Sequence, residues 1–94
     1  MDRRMKINAS VIFTELEGSA VLLHLDTKRY YTLNSTGVAI WQGLKLGKSE
    51  NEISDELEKE YHAGRDQLSA SVARIFDELE KAQLISRFVE RREG

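Results

Sequence analysis

The fourteen residues VLLHLDTKRYYTLN, Val21 to Asn34, constrain the fold of this chain more than any other stretch. Val21, Leu23 and Leu25 alternate along one face, Asp26, Thr27 and Lys28 break the pattern, and Tyr31 with Leu33 resumes it. Apolar alternation of period two on both sides of a polar break marks two β-strands joined by a turn. The second of them runs directly into STGVAIW, the opening of a helix, and no strong strand pattern follows. That strand therefore ends as an open sheet edge followed by helices. Open edges are normally covered or blunted, because their free amides and carbonyls pair with other chains. One left open beside a helix is a ready place for an extended peptide to add as a further strand.

The rest of the chain supplies the sheet with a neighbour and a helical cover. A first strand spans about Val11 to Glu17, with Val11, Ile12, Phe13 and Leu16, and Gly18-Ser19 turns it into the next. Three consecutive strands on short turns predict an antiparallel meander. Asn34 or Ser35 caps a first helix that runs to about Leu46. Its Gly37, Ile40, Trp41 and Leu44 recur at i, i+3, i+4 and i+7 and form one buried stripe. Gly37 would bring the helix backbone close to the sheet, and Gly47 ends the helix. Ser49 and Glu52 form a capping box, opening a second helix that buries Ile53, Leu57 and Tyr61 and stops at Gly64. Asp66 caps a third helix, about Gln67 to Ala82, with a stripe of Leu68, Val72, Ile75 and Leu79. Leu84-Ile85 then closes the apolar layer. The expected fold is α+β and winged-helix-like: a three-stranded antiparallel meander followed by three helices. It forms a single domain over residues 9–86, with residues 1–8 and 87–94 as flexible ends.

Composition removes several classes of function. The chain has 94 residues, enough for one modest core, and no cysteine, which excludes disulfides, thiolate-bound zinc and iron–sulfur clusters. No apolar run approaches a membrane span, and the N-terminal MDRRMKIN has no signal-peptide core, so a cytoplasmic location without membrane contact is expected. The formal net charge is −2, but Ser49 to Gln83 carries ten acids against four bases. Acidic helices are poor partners for phosphate backbones, so no nucleic-acid partner is expected. The first six residues carry three bases against one acid and read as a frayed tail.

No catalytic constellation is visible. His24 and His62 are the only histidines and lack metal-ligand spacing. His24 is assigned to the polar face of its strand, as a surface residue. Ser49 belongs to a cap, and Ser35 and Ser69 have no histidine partner. Asp55, Glu58 and Lys59 read as a solvated face. The chain is taken as non-enzymatic, with no catalytic residue, metal or cofactor. Among the aromatics, Trp41 belongs to the core. Tyr30 and Tyr31 are adjacent and must point to opposite faces. Tyr31 is assigned to the core with Leu33, leaving Tyr30 half exposed on the edge strand, either for β-propensity or for binding. Phe76 lies to one side of the third helix's stripe, beside Ser69 and Ala73. It either widens the core face or walls a shallow groove.

The run LLHLDTKRYYTLNSTGVAIW, the segment EISDELEKEY and a last helix ending in ELEKAQLI together resemble the protein D family of pyrroloquinoline quinone synthesis. The wider class is the precursor-peptide recognition elements of ribosomally made, modified peptides. The resemblance covers roughly residues 10–86. It implies a winged-helix-like peptide chaperone without activity of its own. Such a protein takes the leader of a precursor peptide as an added strand and hands it to a modifying enzyme, commonly a radical S-adenosylmethionine enzyme. By position, the resemblance makes Arg29, Tyr30, Tyr31, Thr32 and Leu33 the edge strand. It makes Ser69, Val72, Ala73, Phe76 and Leu79 the helix wall. Family members often carry an acid before the position of Val72, where this chain has Ser71. Two other readings compete: a DNA-binding winged helix-turn-helix regulator and an interaction domain for a folded partner. Against the first, the third helix sets Asp77, Glu78 and Glu80 beside Arg74 and Lys81. The expected state is a monomer, or a weak homodimer through the open edge.

Overall fold

A buried histidine organises the turn at the centre of the sheet. The computed structural model describes residues 2–62 and 64–87. Strands β2 (Val11–Leu16), β3 (Ser19–His24) and β4 (Tyr30–Leu33) form an antiparallel meander in the order β2-β3-β4, as expected from the sequence. At the β3–β4 turn the His24 amide donates to the Arg29 carbonyl at 2.9 Å, and the Lys28 amide donates to the His24 carbonyl at 2.8 Å. One residue thus faces two, a bulge whose first member, Lys28, sits at φ 64. The His24 ring is 3 % exposed, and its Nδ1 accepts from the amides of Asp26 and Thr27 at 3.2 and 3.3 Å.

That burial reverses the assignment of faces within β3. The register Ala20↔Leu33 and Leu22↔Tyr31 turns Ala20, Leu22 and His24 inward with Leu33 and Tyr31. Val21 and Leu23 lie on the outer face, half buried, and Leu25 beyond the strand is 40 % exposed. Apart from His24, every residue from Ala20 to Leu25 is apolar, so alternation alone had two acceptable phases. The imidazole took the inner one because the turn amides satisfy it there.

Helices α1 (Ser35–Lys45), α2 (Glu50–Tyr61) and α3 (Arg65–Lys81) cover the inner face. Asn34 caps α1 by accepting from the Gly37 amide at 2.9 Å, and the Ser49–Glu52 capping box of α2 is complete. Gly37, Ile40, Trp41 and Leu44 are all buried, and Trp41 stacks on Phe13 with ring centroids 6.4 Å apart. Close approach explains two glycines in α1. A Cβ on Gly37 would stand 2.9 Å from Leu33 Cδ2, and one on Gly43 would stand 2.7 Å from Ile53 Cγ1. Leu68, Val72, Ile75 and Leu79 of α3 pack into the same core with Leu84 and Ile85.

Three expectations are corrected here. Tyr61 is 42 % exposed, because α2 turns out of the core after Leu57. That helix ends at His62, in the left-handed region at φ 55, and Gly64 instead precedes α3 as its N-cap. Asp66 lies inside the first turn of α3, where a carboxylate is still favoured by the positive end of the helix dipole.

The N-terminal segment is not a frayed tail over residues 5–7. Strand β1 (Met5–Ile7) pairs antiparallel with β5 (Ile85–Arg87) in a separate two-stranded sheet, and Met5 is 2 % exposed. The expectation of flexible ends at 1–8 and 87–94 is corrected at β1 and at Arg87, which are paired; residues 88–94 lie outside the described residues. Arg3 pins this segment down. It donates to Glu50 at 2.7 Å, to Asp77 at 2.6 Å and to the Ala73 carbonyl at 3.2 Å, with its guanidinium 5.4 Å from the Phe76 ring centroid. Hydrogen bonds to charged partners contribute about 1.5–3 kcal/mol each, so Arg3→Ala should lower the unfolding free energy by about 2–3 kcal/mol after relaxation. Urea titration checks this; a loss under about 0.5 kcal/mol, the range of an ordinary surface change, would mean the cluster is only a solvated ion group.

Candidate functional site

Strand β4 has a partner on one side only. Among the described residues it pairs with β3 alone, and its other edge faces α3. Hydrogen-bonded and non-bonded pairs alternate along an antiparallel ladder. With His24 bonded to Arg29, the bonded pairs fall at Leu22–Tyr31 and Ala20–Leu33. The amides and carbonyls of Tyr30 and Thr32 then point away from β3, toward the free edge.

Two cavities lie along that edge. The smaller, about 330 Å³, sits beside Thr32, Leu33, Asn34 and Gly37 and is walled by Arg74, Ile75 and Glu78 of α3. The larger, about 570 Å³, lies at the β3–β4 turn among Arg29, Tyr30, Lys81, Ala82 and Leu84. Tyr31 lines both. Its hydroxyl donates to the Glu78 carboxylate, and Arg74 reaches the other oxygen of Glu78 at 3.4 Å. This side-chain bridge joins strand to helix between the two cavities. Burial, then the hydrogen bond to Glu78, push the Tyr31 phenol up to about 12, so the bridge keeps its proton at neutral pH.

The residues named from the sequence separate into two groups. Arg29, Tyr30, Tyr31, Thr32 and Leu33 all line the cavities. Tyr30 is 74 % exposed, and Tyr31 is the partly buried one that packs against the core. Leu33 is 2 % exposed, its side chain in the core. The helix wall requires correction: Ser69, Val72, Ala73, Phe76 and Leu79 line neither cavity. Val72, Phe76 and Leu79 are wholly buried, so Phe76 widens the core face rather than walling a groove. Ser69 accepts from Arg65, and the Ala73 carbonyl accepts from Arg3, which turns this face toward α2 and the N-terminal segment. The wall beside β4 is Arg74, Ile75, Glu78, Lys81 and Ala82, nearly half a turn round the helix. The Arg74–Glu78 pair at i and i+4 was the signal that could have marked it.

Among the described residues no group of three or more His, Asp or Glu could hold a metal, and no helix is long and apolar enough to cross a membrane. A three-stranded meander under three helices, with one strand edge open against the last of them, defines the class of small winged-helix-like domains. Within that class the family is clear. The model of Coenzyme PQQ synthesis protein D (PqqD) matches residues 19–85, and the chain belongs to that family. Solved structures agree. The chain is similar to TbiB1 in complex with the TbiA(beta) leader peptide, at 29 % identity and a TM-score of 0.83, over 90 % of this chain and 99 % of that one. A lasso peptide synthetase B1 complexed with its leader peptide shares the fold at 22 % identity and a TM-score of 0.80, over 87 % of this chain and 96 % of that one. No curated protein sequence matches the chain.

Proposed function

We propose that this protein is a non-catalytic carrier that binds the leader of a ribosomal precursor peptide as an added strand on β4. It presents that peptide to a modifying enzyme, of the radical S-adenosylmethionine type in the quinone pathway, and works in the cytoplasm as a monomer or weak homodimer. The observation that carries the reading is the free edge of β4, with Tyr30 and Thr32 directed at a groove floored by Tyr31 and walled by α3. Main-chain hydrogen bonds give such a site affinity, and pockets for alternate side chains give it selectivity. The likeness to TbiB1, solved in complex with a leader peptide, supports leader-peptide binding. A DNA-reading role fits less well, since α3 carries four acids against three bases and a recognition helix needs the opposite balance.

The test is titration of isotope-labelled protein with the leader segment of the precursor encoded beside its gene. Amide resonances of Tyr30 to Leu33 and of Arg74 to Ala82 should shift together, while α2 stays quiet. Shifts confined to α2 would favour a folded-partner surface, and saturable binding of duplex DNA would favour the regulator.

A further inference from the structure

The two cavities beside β4 differ in charge. In the smaller, Arg74 and Glu78 neutralise each other at 3.4 Å. The larger has Arg29 and Lys81 as its only Lys, Arg, Asp or Glu residues, both exposed. Among the described residues neither cation is in an ion pair, whereas Arg3, Arg65 and Arg87 each face at least one acid. The remaining wall is largely Tyr30, Tyr31, Ala82 and Leu84. Two uncompensated cations above aromatic and aliphatic walls suit a carboxylate on a short hydrocarbon stem. Charge-assisted hydrogen bonds are about twice as strong as neutral ones, and partial enclosure strengthens them further.

We infer that the groove selects an extended peptide that places an aspartate or glutamate opposite Arg29, in the larger cavity. The inference rests on strand addition to β4 and adds to it a chemical class and a register. Side chains alternate along a strand, so the peptide residues facing Arg29, Tyr31 and Leu33 all point into the groove. An antiparallel strand meets Leu33 first. The residue there enters the smaller, internally neutral cavity and is uncharged. The residue two places on lies over the Tyr31–Glu78 bridge and must be small. The acid follows two places later, about 13 Å from the first at the rise of a β-strand.

A displayed library of random twelve-residue peptides tests this with the full chain as bait. Sequences retained by the protein but not by Thr32→Pro, which blocks the edge, are those read by β4. The expected result is an Asp or Glu enriched at one position, with an uncharged residue four places before it. Affinity should fall at least tenfold in the double variant Arg29→Glu, Lys81→Glu, and a selection on that variant should enrich Lys or Arg instead. Circular dichroism melting of the double variant confirms that it folds, as two exposed positions allow. Edge-dependent sequences without an acidic position, or indifferent to charge reversal, would overturn the acidic pocket and leave strand addition standing. A library in which no sequence distinguishes the protein from Thr32→Pro, or a β4 edge that responds only to the protein's own concentration, would overturn both.

Discussion

Trp41→Ala should leave a chain that is barely folded at room temperature. Trp41 is 2 % exposed at the centre of α1, between Ile40 and Leu44, and stacks on Phe13 from β2. Replacing a buried tryptophan with alanine costs about 3–5 kcal/mol, from lost transfer energy and the cavity left behind. Domains of this kind hold only about 5–15 kcal/mol in total, and a 94-residue chain belongs at the low end of that range. Gly37 and Gly43 already let α1 lie against Leu33 and Ile53, so the helix has little room to settle into the void. Chemical denaturation monitored by circular dichroism would read the loss. A variant that melts with the parent would show that the Phe13–Trp41 contact contributes little and that the core centres elsewhere.

Thr32→Pro is expected to have the largest effect on binding while sparing the fold. The ladder phase set by His24 and Arg29 directs the Thr32 amide outward, so no bond within the sheet is lost when proline removes it. Proline is tolerated on edge strands for this reason. A peptide adding to β4 would lose one main-chain partner, keep an unsatisfied carbonyl, and meet the pyrrolidine ring. A loss of at least tenfold in Kd, about 1.4 kcal/mol, is the expected outcome by calorimetry. Unchanged affinity at unchanged melting temperature would mean that the peptide does not run along this edge. The change contrasts with Phe76→Ala, which should lower stability and leave affinity untouched, since Phe76 lies wholly in the core.

The helical half of the fold was legible because its signals are local. Asn34, Ser49 and Glu52 cap their own helices through neighbours three residues away, and the α1 and α3 stripes follow from helical period alone. The open edge was legible too, since among the described residues the one strand after Leu33, β5, pairs with β1 in a separate sheet. What the sequence hid was set by contacts that periodicity does not report. The inner phase of β3 depends on the His24 ring finding amide donors in its own turn, and β1 exists only because, at long range, Ile85 and Ser86 come back to meet it. The groove wall was misplaced because Phe76 has a cation–π partner in sequence-distant Arg3. Its cation covers the ring and extends the buried face of α3 toward α2.

The β1–β5 pairing also sets an order of assembly. It joins Met5 to Arg87, so it cannot form until almost the whole described chain is present. Closing so long a loop in an unstructured chain is entropically unfavourable, but once meander and helices have docked, the ends already lie near one another. The small ladder is therefore expected to engage as a latch after them. It shares its anchor, Arg3, with Phe76, Asp77 and the start of α2. Opening that latch exposes the far side of α3, not the side that faces β4. The β1–β5 ladder and the groove beside β4 thus lie on opposite flanks of one helix, so local opening at the ladder would leave the free edge of β4 in place.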